Sequence, residues 1–182
     1  MNSYTAHFWV YNRDQSQNAF NYLKGLTQSN LDKNMERMVE SDPKADYESL
    51  QQFITDWSWS ASDVMDHVAQ DVNTLIGDVE GSGLIIDESG DVKKGKSSVG
   101  VARQWIGIVG KVENGQVGVY ASLVNGKNYG LVNARLYLPE EWTSDKIRLD
   151  KAKVPEAERS FKTKEIIAYE MVLHARQLKY II

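Results

Sequence analysis

The stretch LIIDESGDVKKGKSSVGVARQWIGIVGK, residues 84–111, contains the features that best predict the fold and the functional site of this chain. The apolar run 84–86 is typical of a short buried strand. We expect that strand to end on Asp87 and Glu88, because the following pair, Ser89-Gly90, is a typical break. A carboxylate at the end of a buried strand is held by rigid backbone at the border with solvent, which suits a metal ligand.

Three lysines follow in a loop that also contains glycine: Lys93, Lys94 and Lys96. Phosphoryl-transfer sites combine a carboxylate that holds a metal with cations that hold phosphate. The stretch therefore predicts a metal ligand at Asp87 beside a phosphate-binding loop. Two simpler interpretations stay open: Asp87 as a turn-forming residue before Ser-Gly, and the lysines as a solvated loop.

Composition bounds the class of protein. The chain has 182 residues, of which 42% are hydrophobic and 25% are charged, as in ordinary globular proteins. It contains no cysteine, so a disulfide framework and a thiolate zinc site are excluded. Its three histidines are scattered, which argues against a histidine metal site. No stretch approaches the ~20 apolar residues of a membrane span, and the first residues do not resemble a secretory signal. We therefore expect a cytoplasmic location and no membrane partner.

Charge is unevenly distributed along the chain, whose formal net charge is −4. Residues 1–80 carry 5 Lys/Arg and 13 Asp/Glu, whereas residues 81–182 carry 16 and 12. Such asymmetry suggests two units with different partners, and a polyanion would bind the basic half. Charge alone leaves open that both halves are simply solvated surfaces.

The first 80 residues predict a small helical domain of about four helices. Helical periodicity recurs over 14–26, 31–39 and 46–57, and Asp46 is a candidate cap. Ser60 opens a further helix that ends near Gly77. The last two helices could form a DNA-binding helix-turn-helix, but few basic residues are available there, so we favour a plain packing pair. The aromatic residues of this region are interpreted as core: Tyr47, Phe53, Trp57 and Trp59.

Residues 81–182 predict an antiparallel meander followed by a helix. Gly81-Ser82-Gly83 marks the domain boundary. Asn114-Gly115 is a strong hairpin signal, Asn125-Gly126 marks another turn, and residues 131–138 follow as a strand. Thr163 can cap a helix that extends to about residue 179, and residues 180–182 resemble the start of another strand.

Several motifs in this half resemble the opening of the catalytic domain of bacterial insertion-sequence transposases of the DDE superfamily. They are DESG at 87–90, KKGKSSVGVARQW at 93–105, GKVENGQVGVY at 110–120, RLYLPEEW at 135–142 and FKTK at 161–164. The resemblance extends from about residue 33 to the end. It is specific because these pieces occur in order, although none would suffice alone.

This resemblance implies an α/β protein with two domains. Residues 1–80 would be the helical N-terminal domain. Residues 81–182 would be the first part of an RNase H-like DDE endonuclease domain, truncated before the second aspartate. It also implies DNA transposition by phosphodiester cleavage and strand transfer, with Mg²⁺ or Mn²⁺ as cofactor. The implied partners are transposon ends, target DNA and a second copy of the chain in a homo-oligomer.

Asp87 matches the first carboxylate of the DDE triad in this resemblance, and so the first metal ligand. Glu88 should face the other way, because neighbouring strand residues point to opposite faces. The second and third carboxylates have no match, so we expect an N-terminal piece of a transposase that is inactive on its own. The candidate contacts to the DNA backbone are Lys93, Lys94, Lys96 and Arg103.

Two other hypotheses remain. The chain could be a non-catalytic DNA-binding remnant of a transposase, which predicts salt-sensitive binding through the lysine loop. It could instead be a small β-rich module that binds a protein or ligand, which would account for the meander but not for Asp87 and the lysines occurring together.

Overall fold

The computed structural model describes residues 2–28, 33–42, 44–77 and 80–179. The backbone divides into two compact units, residues 1–67 and 68–182. The division falls inside a helix, α4 (Ala61–Ile76). The domain limits inferred from the sequence, 1–80 and 81–182, remain a prediction. The expected strand at 180–182 lies outside the described residues.

The first unit is helical, as predicted. It begins with a 3₁₀ helix, Asn2–Phe8, and a two-residue hairpin. Its elements are the strands β1 (Trp9–Val10) and β2 (Arg13–Asp14), and the helices α1 (Ser16–Thr27), α2 (Met35–Ser41), α3 (Tyr47–Thr55) and the start of α4.

Two side chains cap the later helices of this unit at the predicted positions. The Asp46 carboxylate accepts a hydrogen bond from the Ser49 backbone N–H at 2.8 Å, and the Ser60 hydroxyl accepts one from the Asp63 N–H at 3.1 Å. Each bond satisfies an N–H group that has no partner within the first helical turn.

Aromatic side chains form much of the core of the first unit. Phe53 is buried and stacks on Trp59, with ring centroids 5.4 Å apart. Trp59 Nε1 also donates to the Phe53 carbonyl at 3.1 Å. Tyr47, which we expected in the core, is exposed, because it occupies the first position of α3 on the solvent side.

The second unit is an antiparallel sheet with helices, which fits the mixed α/β class. Its central strand β5 pairs with all three other strands. The elements are β3 (Ser82–Val92), β4 (Ala102–Ile106), β5 (Lys111–Asn125), β6 (Asn128–Leu136), α5 (Glu140–Thr143), α6 (Lys146–Lys151) and α7 (Lys164–Gln177).

The hairpin predicted at Asn114-Gly115 is wrong, because both residues lie inside β5. The reversal occurs earlier, at 107–110, where Gly110 adopts a left-handed conformation with φ 63°. Gly115 instead allows β5 to approach β3 closely, since a Cβ at this position would lie 2.4 Å from the Asp91 carbonyl oxygen. The turn expected at Asn125-Gly126 is confirmed, because β5 and β6 join there.

The strand that carries Asp87 is longer than predicted. Asp87 and Glu88 do not end β3, which continues to Val92 and pairs with β5 throughout. Gly90 is not a break, because it provides space: a Cβ at this position would lie 2.9 Å from Ile106 Cδ1. The run 84–86 is not wholly buried either. Ile85 is 56% exposed, because alternate strand residues face opposite sides of the sheet.

One face of the sheet carries the main core of the second unit. Residues Val119, Ala121 and Leu123 of β5 pack with α4 and α7. Helix α7 contributes Ile167, Met171 and Ala175 to this core, as its helical periodicity predicts. Thr163 caps the helix, because its hydroxyl accepts a hydrogen bond from the Ile166 N–H at 3.3 Å. The opposite face is left more exposed, and this positions the candidate site.

Candidate functional site

Asp87 lies on the open face of the sheet, near the middle of β3. Its cross-strand partner is Tyr120 of β5, which itself pairs with Ala134 of β6. The side chain is exposed, and its Oδ1 accepts a hydrogen bond from the Glu88 N–H at 2.8 Å. A shallow cleft of about 320 Å³ adjoins it; the cleft is lined by Asp87, Glu88, Ser89, Gly90, Trp105, Gly107, Ile108 and Val117.

Glu88 is held in an ion pair on the other face. Its Oε2 lies 2.5 Å from Nζ of Lys164, the first residue of α7. The same Nζ lies 5.4 Å from the centre of the Tyr137 ring. By contrast, Asp87 forms no ion pair with any residue that the structure describes. Of the two adjacent carboxylates, Asp87 is therefore the one available to a ligand.

The donor chemistry at Asp87 suits a divalent cation, because exposed carboxylate oxygens are the ligands that Mg²⁺ prefers. One carboxylate does not complete a metal site, however. Among the residues described, no group of three His, Asp or Glu side chains could hold a metal ion. Asp87 can therefore be one ligand of such a site, and the described residues do not supply the others.

The lysine loop, defined as residues 93–101, is fastened to the sheet. The Asn114 side chain donates to the carbonyls of Lys93 and Gly95, at 2.6 and 2.9 Å. Lys93 Nζ lies 3.8 Å from Asp91, whereas the Lys94 side chain is exposed. The Lys93 backbone N–H also donates to the Asn114 carbonyl at 2.8 Å, so the pairing with β5 continues into the start of this loop.

A larger cleft of about 790 Å³ lies beside the lysine loop, and we call it the basic cleft. It brings together two predicted DNA contacts, Lys96 and Arg103, but does not include Asp87, Lys93 or Lys94. Its lining is Lys96, Ser97, Val101, Ala102, Arg103, Asn114, Glu141, Trp142, Asp145, Arg148, Lys151 and Ala152. The predicted metal ligand Asp87 therefore lies in a different cleft from Lys96 and Arg103, while Lys93 and Lys94 line neither cleft.

Arg148 and Trp142 form the floor of the basic cleft. Trp142 is only 1% exposed, and the Arg148 guanidinium carbon lies 3.6 Å from its ring centre. Trp142 Nε1 donates to the Val101 carbonyl at 2.9 Å, and Arg148 Nη2 donates to the Lys96 carbonyl at 2.8 Å. Helices α5 and α6 thereby hold the lysine loop in place.

The sequence analysis missed Arg148 and Lys151, because it identified no helix between the strand at 131–138 and Thr163, where the structure has α5 and α6. Two signals were available. The motif RLYLPEEW ends on Trp142, a residue type whose large apolar ring often packs into the fold. Asp145 also has the residue type and position of a helix cap, and it accepts from the Arg148 N–H at 2.9 Å.

Residues 7–179 match the family described as DDE superfamily endonuclease. The chain belongs to this family. No curated protein and no solved structure matches it. A DDE endonuclease acts on DNA, so the family match confirms DNA as the expected class of partner. Within the described ranges, no helix has the length and apolar character needed to cross a membrane.

Proposed function

We propose that this DDE endonuclease is a transposase portion of the bacterial insertion-sequence type. It would act in Mg²⁺- or Mn²⁺-dependent phosphodiester cleavage and strand transfer, with Asp87 as the first carboxylate of the DDE triad. We also propose that the second unit is the first part of an RNase H-like domain. The ordered motifs between 87 and 164 support both proposals, as does a sheet with α7 on one face.

The observation that carries the proposal is the contrast between Asp87 and Glu88. Lys164 neutralises Glu88, whereas Asp87 keeps an exposed carboxylate on a strand that is paired along its whole length. A metal-ligating side chain on a paired strand is positioned more rigidly than one on a loop. Asp87 would therefore hold a divalent cation at a fixed point, with the remaining ligands coming from outside the described set.

Mn²⁺-induced broadening of backbone amide signals in NMR spectra tests this role of Asp87. In the wild-type chain we expect broadening centred on residues 86–88 and on their partners 119–121 in β5. The substitution Asp87→Asn should abolish it, because the amide lacks the charge that attracts the cation. Broadening that persists unchanged in Asp87→Asn would refute the assignment of Asp87 as a metal ligand.

Asp91→Asn is the matched control, because Asp91 is an exposed acid on the same face of the same strand. This variant should keep the broadening around Asp87. If it removes the broadening as completely as Asp87→Asn does, the cation responds only to the total charge of the strand.

Non-catalytic DNA binding is the second candidate function. It is favoured by the basic cleft, where Lys96 and Arg103 lie together and away from Asp87. This function requires no metal. Salt-sensitive DNA binding combined with no Mn²⁺ effect at Asp87 would support it over the catalytic proposal.

A further inference from the structure

The basic cleft contains three cations that form no ion pair within the described part of the chain. Lys96, Arg103 and Lys151 are exposed, and none of them forms an ion pair with another described residue. Arg103 makes a long contact of 3.4 Å from Nη2 to the Val112 carbonyl. It also interacts electrostatically with Glu113, but the ion-pair partner of Glu113 is Lys111, at 3.1 Å. Like charges placed together in a concave surface repel one another, so the arrangement favours an anion between them.

The acidic residues of the cleft are already engaged. Glu141 lies 3.5 Å from Arg148 Nη1, and Asp145 caps α6 through the Arg148 N–H. Arg148 is engaged in turn, by Glu141, by the Trp142 ring and by two carbonyls of the lysine loop. The charge left available to a ligand is therefore that of Lys96, Arg103 and Lys151.

Most carbonyl oxygens of the lysine loop already accept hydrogen bonds from the protein, which reduces their repulsion of an anionic ligand. Six of its carbonyl oxygens accept hydrogen bonds from the side chains of five residues: Gln104 to Gly100, Asn114 to Lys93 and Gly95, Gln116 to Val99, Trp142 to Val101, and Arg148 to Lys96 and Val101. The backbone N–H groups of 94–98 have no acceptor within the described part of the chain. Free backbone N–H groups can bind phosphate oxygens.

We propose that the basic cleft binds the sugar–phosphate backbone of DNA through Lys96, Arg103 and Lys151. Arg148 and Trp142 are positioning residues that hold the lysine loop in its binding conformation. Trp142 is buried, so the cleft offers no aromatic face for stacking a base. The binding should therefore be independent of sequence. This inference rests on the proposed function only in taking DNA as the ligand, and it does not involve Asp87.

Fluorescence anisotropy with a labelled duplex of about 20 base pairs, which covers two helical turns, tests the proposal across a series of salt concentrations. The variants Lys96→Gln and Lys151→Gln should each weaken binding roughly three- to tenfold and lower the slope of log Kd against log salt by about 0.9. Lys146→Gln is the matched control. It removes the same charge from α6 but lies outside the cleft lining, so it should change Kd less than twofold.

Arg148→Lys separates positioning from charge. It keeps the positive charge but loses the fork that reaches the carbonyls of Lys96 and Val101. We expect weaker DNA binding together with faster amide hydrogen exchange at residues 94–98. Circular dichroism checks that the Arg148→Lys variant is folded. If this variant does not fold, Lys96→Gln and Lys151→Gln still test DNA binding by the cleft, because both lysines are exposed.

Three results would overturn the proposal: no binding by the wild-type chain, binding that does not depend on salt, or an equal loss in Lys146→Gln and Lys151→Gln. All titrations are made in EDTA, so they do not depend on a cation at Asp87. Loss of the Mn²⁺ effect with normal DNA binding would remove the proposed catalytic role and keep the cleft. The reverse result would keep the catalytic role and remove the cleft.

Discussion

Lys164 and Glu88 form an ion pair that links the first residue of α7 to β3, with Nζ and Oε2 2.5 Å apart. Both side chains are partly exposed, so the pair adds little to stability, at most about 1 kcal/mol. Its consequence is electrostatic, because it places a positive charge next to the strand that carries Asp87.

Removing that charge should strengthen cation binding at Asp87. We expect Lys164→Gln to lower the Mn²⁺ concentration needed for half-maximal broadening by roughly two- to fivefold, since one repulsive charge is lost and Glu88 is released. Lys162→Gln is the control, because Lys162 also forms an ion pair with an acid, Glu170, at 3.0 Å. An equal effect in both variants would contradict a local interaction between Lys164 and the site.

Trp142 should be the most sensitive tryptophan of the second unit. The substitution Trp142→Phe removes the hydrogen bond to the Val101 carbonyl and part of the surface that Arg148 covers. We expect a loss of about 1–3 kcal/mol in the free energy of unfolding, measured with urea and circular dichroism. Trp105→Phe is the comparison. Trp105 is 54% exposed, so the change should stay within about 0.5 kcal/mol.

Gly130 allows α4 to pack closely on β6. A Cβ at this position would lie 2.7 Å from Cγ1 and 2.8 Å from Cγ2 of Val72. Gly130→Ala should therefore destabilise the fold by about 1–3 kcal/mol. Gly107→Ala has nothing within 4 Å of the new Cβ and should be neutral or stabilising by up to about 1 kcal/mol. Urea midpoints of the two variants check this, and equal midpoints would argue against close packing at Gly130.

The cap of α3 should make the first unit sensitive to acid. The hydrogen bonds from Ser49 hold the pKa of Asp46 below its usual value. A lowered pKa in the folded state means that the charged form stabilises the fold. This contribution is complete above the unfolded pKa of about 3.9 and is lost as the pH falls through the lower, folded value.

Asp46→Asn tests the sign of this effect. Asparagine is also a good cap, so the variant should have a urea midpoint close to that of the wild type at pH 7. Below pH ~4 the wild type should lose stability relative to the variant, because only the aspartate titrates. A constant difference between the two proteins from pH 7 to pH 2.5 would show that the Asp46 charge does not contribute.

The α-helices of seven or more residues were accessible from the sequence because their signals are local, whereas the short helices α5 and α6 were not predicted. The caps at Asp46, Ser60 and Thr163 each act within three residues, and the buried face of α7 follows from its periodicity. The hairpin at Asn114-Gly115 was not predictable in this way. The same dipeptide can form a turn or, as here, let a long strand approach its neighbour, and only the pairing with β3 decides between them.

By itself, the sequence determined the α-helices of seven or more residues, the mixed α/β class and the family to which the chain belongs, since these depend on short-range patterns and ordered motifs. The tertiary structure decided which of two adjacent carboxylates is available, because Lys164 reaches Glu88 from a helix 76 positions later. It also decided that Lys96 and Arg103 lie in one cleft with Arg148, whose guanidinium binds a loop 52 residues away in sequence. Such long-range pairings depend on how the elements pack, and no local pattern encodes them.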